Sequence, residues 1–140
     1  MTRKAKGRRP GLDEALITLF IGAMDANGQV AREELSRAHH LIWSTKRFRR
    51  KSGDTVNRLV DRAKRTLEEQ DRSAVLEAAA AAIPAKVRPS AFAIVADLLL
   101  ADGKIDARER KFLERLAAGF DIRGRAANQV IEAMLVKNAL

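Results

Sequence analysis

Residues 91–114, AFAIVADLLLADGKIDARERKFLE, decide the fold. An almost wholly apolar run leads into Asp102-Gly103. Asp106 follows, and then a segment whose apolar residues Phe112, Leu113 and Leu116 alternate with charges at helical spacing. The order is that of a buried helix, a glycine turn, a capping residue and an amphipathic helix. A fainter copy, DEALITLFIGAMDANGQVAREEL, occupies residues 13–35. The copies align without a gap, pairing Asn27 with Asp102, Gly28 with Gly103, Val30 with Ile105 and Glu34 with Glu109. The shared frame is A-[ND]-G-x-[VI]-x-x-x-E. Two copies predict two helical hairpins packed on one core, since a solenoid needs at least three at shorter period. The apolar arms, 16–24 and 91–101, are expected to lie together at the centre.

Working outward, the first helix is expected over 12–24. Leu12, Leu16, Leu19, Phe20 and Ala23 make its stripe, widened by Ile17 and Ile21, and Gly28 ends it. The second covers 32–43 and can reach 46, with Leu35, Ala38, Leu41 and Ile42 inward. After the turn at Ser52-Gly53-Asp54, where Ser52 or Asp54 can cap, a third runs over 55–69. A fourth covers 73–83, its alanine run allowing close helix approach, and Pro84 stops it. The fifth starts near Pro89 and ends near 101. The sixth spans 107–118, opened by an Asp106–Glu109 capping box and stopped by Gly119. The seventh spans 125–137 and presents Val130, Ile131, Met134 and Leu135. The reading is all-α: a compact bundle of about seven helices from two pseudo-repeated hairpins. Residues 1–11 form a basic tail expected to be disordered, and 12–140 a single domain.

Aromatic residues make up only 4% of the 140-residue chain, so the core must be built mainly from aliphatic side chains. There is no cysteine, which excludes disulfides, thiolate metal sites and a cysteine nucleophile. No signal-peptide h-region is visible, and no segment has the ~20 apolar residues of a membrane span. A cytoplasmic protein is therefore expected. The net charge of +9 is concentrated in two places. Arg3, Lys4, Lys6, Arg8 and Arg9 form one run, and Lys46, Arg47, Arg49, Arg50 and Lys51 the other; without them the chain is close to neutral.

These two runs are the strongest sign of a partner. Clustered cations displace counterions from nucleic acid or attract anionic lipid at roughly 1 kcal/mol each, and they also occur as plain solvated surface. No base-reading array accompanies them. Trp43 and Phe48, beside the second run, could anchor at a membrane interface; Trp43 alternatively fills core space. The acidic residues Asp97, Asp102, Asp106 and Glu109, with Asn27 and Glu34 in the first copy, admit two readings. Oxygen-rich clusters can hold a hard cation such as Ca²⁺ or Mg²⁺, while turn and cap chemistry alone also demands these residues. The first copy is poorer, because Asn27 replaces an aspartate and Ala31 replaces Asp106. Adjacent His39 and His40 point about 100° apart on a helix, so they make no metal pair. No nucleophile–base constellation, P-loop or Rossmann glycine pattern is present, which argues against an enzyme.

The duplicated frame, and ADGKIDARERKFLERLA over 101–117 in particular, resembles the TerB-like tellurite-resistance family. The same domain occurs at the N-terminus of membrane-anchored DjlA co-chaperones. The resemblance covers about 12–135. It implies a helical bundle and a non-enzymatic cytoplasmic protein linked to tellurite or general chemical stress, which can sit at the inner membrane. It also implies divalent metal at the acidic turns, with Asp102, Asp106 and Glu109, and Asn27 and Glu34 in the first copy, as candidates. The implied partners are proteins of stress-response or membrane-associated complexes. Asn27 and Ala31 depart from the family's pattern, as does the basic tail. A nucleic-acid-associated protein is the alternative.

Overall fold

The structure is a computed structural model. It describes residues 10–24 and 32–140, with side chains throughout except at 32–35 and 37. Residues 1–9 of the expected tail, the first Asn-Gly turn with Asn27, and the side chain of Glu34 lie outside the described residues. Seven α-helices and a 3₁₀ turn (Ala85–Val87) are present among them: α1 (Leu12–Met24), α2 (Arg32–Ser44), α3 (Gly53–Glu69), α4 (Arg72–Ala81), α5 (Arg88–Leu99), α6 (Ala107–Gly119) and α7 (Gly124–Lys137). There is no strand among these residues. The all-α bundle read from the sequence is the fold observed.

The central helix is α1. Every residue from Ala15 to Met24 is buried, because α2, α3, α4 and α5 all pack against it. The apolar surface round most of its circumference therefore has helices to cover it. The second arm, α5, touches α1, α2, α6 and α7, so the arms of the two hairpins meet at the middle as expected. Phe20, Phe92, Ile17 and Val95 are among the largest side chains fully enclosed. Each such burial contributes roughly 1.5–3 kcal/mol relative to exposure. A Cβ added at Gly22 would lie 2.5 Å from Leu76 Cδ2, so the missing side chain is what lets α4 come close to α1. Arg72 at the start of α4 donates to the Gly22 carbonyl.

Local chemistry sets the helix ends. Ser52 Oγ accepts from Thr55 N at 3.1 Å and caps α3, so Gly53 and Asp54 belong to the helix. Asp71 Oδ2 accepts from Ala74 N at 3.1 Å and caps α4. The chain then bends by 100° between α4 and the stretch Ala85–Leu99, at Pro84. The end of α6 differs from expectation. Gly119 is its last helical residue, and Asp121 is the one with positive φ, at 59°. Ile122 N donates to Ala117 O at 2.9 Å and Asp121 N to Ala118 O at 3.1 Å, the paired bonds of a Schellman ending. Aspartate tolerates this conformation better than most residues.

Trp43 is half-buried and packs on the core from its margin. The aromatic enclosed in this region is Phe48, with no exposed surface. That corrects the reading of Phe48 as an interfacial anchor. Its ring is the peg that ties the basic segment to the core.

Candidate functional site

The acidic turn comes first, because the repeated frame centres on it. Asp106 N donates to Glu109 Oε1 at 3.0 Å, and Glu109 N to Asp106 Oδ1 at 2.8 Å, a complete capping box. Asp102 Oδ1 accepts from Lys104 N at 3.1 Å and closes the turn. Asp97 Oδ1 accepts from Lys137 Nζ at 3.1 Å and Asn138 Nδ2 at 3.0 Å, which fastens the end of α7 to α5. Asn138 Nδ2 also donates to Leu100 O at 3.1 Å. One oxygen of each carboxylate is thus engaged, by a backbone amide or by α7. Among the described residues no group of three or more His, Asp or Glu side chains is placed to hold a metal ion. Cap and turn chemistry accounts for the positions of Asp102, Asp106 and Glu109, and the tie to α7 accounts for Asp97.

The close grouping leaves one electrostatic mark. Partial burial raises the Glu109 carboxyl above its ordinary 4.5, with Asp106 and Asp102 adding to the rise and the Asp106 N–H opposing it. Folded Glu109 therefore holds its proton to higher pH than in the unfolded chain. Its contribution to stability falls as pH climbs through the window just above 4.5. Glu109→Gln keeps an acceptor for Asp106 N and removes the titration. Its unfolding free energy should decline less across that window than wild type's, as measured by urea melts at several pH values.

The second basic run has a more specific setting. Residues 45–51 follow α2 in tight turns, with Phe48 N donating to Thr45 O at 2.9 Å and Lys51 N to Phe48 O at 3.1 Å. Asp13, in the first turn of α1, pairs with Arg47 and with Lys51, the latter at 3.2 Å. Two of the five cations thus serve the fold. Lys46, Arg49 and Arg50 are exposed and have no ion-pair partner among the described residues. All five line a groove of about 890 Å³ whose apolar wall comes from both central helices, Leu16 and Phe20 on α1 and Ala91 and Ile94 on α5, with Val87 beside them. Among the described residues, no carboxylate or histidine lines it. A cationic edge over apolar wall suits a ligand that is anionic at one end and apolar at the other.

The run's charge was legible in the sequence; its place over the meeting of α1 and α5 was not. His39 is half-buried and His40 exposed, and neither lines this groove. The first run, Arg3 to Arg9, lies outside the described residues.

No curated protein and no solved structure matches the chain significantly. The family model described as "Tellurite resistance protein TerB" matches residues 13–132, from the first turn of α1 into α7. With both hairpins inside that match and the two apolar arms packed together at the centre, the chain belongs to the TerB family.

Proposed function

We propose that this TerB-family chain acts without catalysis, as a docking module in the response to tellurite or related chemical stress, held at an anionic membrane surface by the groove under residues 46–51. The observation that carries the reading is the placement of Lys46, Arg49 and Arg50 above an apolar wall from α1 and α5. Nucleic acid would use the cations and leave the apolar wall idle; an anionic lipid uses both. At roughly 1 kcal/mol per cation near such a surface, three cations give weak, reversible attachment. The five cations of residues 3–9 would strengthen it, as paired signals do for peripheral proteins. A cytoplasmic protein peripheral to the inner membrane fits this role.

Co-sedimentation with phosphatidylcholine vesicles, with and without phosphatidylserine, tests it. Binding should require the anionic lipid and weaken as salt rises. Arg49→Gln with Arg50→Gln should lower affinity by about 2 kcal/mol, roughly thirtyfold. Equal binding to neutral vesicles, or affinity untouched by the double substitution, would overturn the proposal. Tighter binding to duplex DNA than to anionic vesicles at the same salt would favour the nucleic-acid alternative.

A further inference from the structure

A second groove, sharing no lining residue with the first among the described residues, lies between α4 and α6. It holds about 660 Å³. Leu19 of α1, Leu76 and Ala80 of α4, and Phe112 and Leu116 of α6 form its apolar floor. Leu76 and Phe112 are only half-buried, although their spacing reads as inward-facing. The groove is the reason: neighbouring helices leave part of each side chain uncovered.

Its rim is cationic. Arg108, Lys111 and Arg115 recur at i, i+3 and i+7, so they share one face of α6 with Phe112 and Leu116. All three are exposed and have no ion-pair partner among the described residues. Among the described residues one carboxylate, Glu77, lines the opposite wall. Lining residues run from Arg72 to Ala81 along α4 and from Arg108 to Gly119 along α6. At a rise of ~1.5 Å per residue, the trough is roughly 13–16 Å long, about three helical turns. Ala80, Ala81, Ala118 and Gly119 keep its walls low enough for a backbone to approach.

We infer that the α4–α6 groove is a docking site for an acidic amphipathic helix of a partner protein. The helix lays apolar anchors at i, i+3/i+4 and i+7 on the floor, and its flanking carboxylates face Arg108, Lys111 and Arg115. Sign selects the occupant. The chain's own N-terminal run is cationic, and a second copy would bring the same cationic face of α6. The length and open shape fit a helix rather than a compact ligand. This site and the membrane groove stand on different residues, so either can fail alone.

The test uses fluorescence anisotropy with two labelled helical peptides of identical leucine pattern, one flanked by glutamates and one by lysines. The glutamate peptide should bind the full chain at least roughly tenfold more tightly than the lysine peptide. Arg108→Glu with Lys111→Glu and Arg115→Glu should reverse that preference, and unchanged far-UV circular dichroism verifies that the variant is folded. Phe112→Ala should weaken the glutamate peptide roughly tenfold, while Arg49→Gln with Arg50→Gln should leave it unaltered. Equal affinity for the two peptides, or a preference that survives charge reversal, would overturn the inference. So would displacement of the glutamate peptide by anionic vesicles in the Arg49→Gln/Arg50→Gln chain, because the groove would then be a lipid site.

Discussion

Phe48→Ala should lower the unfolding free energy by about 3–5 kcal/mol. The ring is fully enclosed, although Lys46, Arg47, Arg49 and Arg50 surround it in sequence. Truncation removes its buried apolar surface and opens a cavity that the surrounding helices can fill only in part. Against a typical total of about 5–15 kcal/mol, the loss is a large fraction of the fold's stability. Urea unfolding with an unchanged m value measures it. Arg49→Gln and Arg50→Gln in the same segment should stay within about 0.5 kcal/mol of wild type, since both side chains are exposed. The contrast separates the two roles of the segment. A loss below about 1 kcal/mol for Phe48→Ala would mean that the ring is not a core residue.

Gly103→Val should cost about 3 kcal/mol or more, by two routes. Gly103 has φ of +79°, where a β-branched residue is strained by roughly 1–3 kcal/mol. A Cβ there would also lie 2.7 Å from the Asn138 carbonyl oxygen, a backbone atom. The end of α7 would have to withdraw, loosening the Asn138 bonds to Asp97 and Leu100, at about 0.5–1.5 kcal/mol each. Asn138→Ala loses those bonds without the strain, so it should be milder than Gly103→Val in the same urea melts. Equal losses for the two would show that backbone strain contributes nothing at this turn.

These residues show what was legible. The Asp106–Glu109 capping box and the helix stop at Pro84 follow from short-range rules, and the structure has both. Gly103 was legible as a turn residue. That the C-terminus of α7 lies against it was not, because Asn138 and Gly103 are far apart in sequence. The left-handed residue after α6 is Asp121 rather than Gly119, since Ala117 and Ala118 offer their carbonyls to the two amides that follow Phe120. Phe48 is enclosed although four of its nearest residues are cations, because the composition of a short window does not show which side chain turns inward. Leu76 and Phe112 have inward spacing, yet what covers them depends on how far apart α4 and α6 sit.

Taken alone, the amino-acid order determined which segments are helical, where most of them are capped, and that two apolar arms belong to a duplicated frame, because periodicity and capping act over a few neighbouring residues. Only the packed chain decided which cations are spent on Asp13 and which face outward. It also decided that the acidic turn binds its own backbone and the end of α7, and that two basic-rimmed grooves open on the core. Those outcomes depend on distances between segments far apart in the chain, which no local pattern encodes.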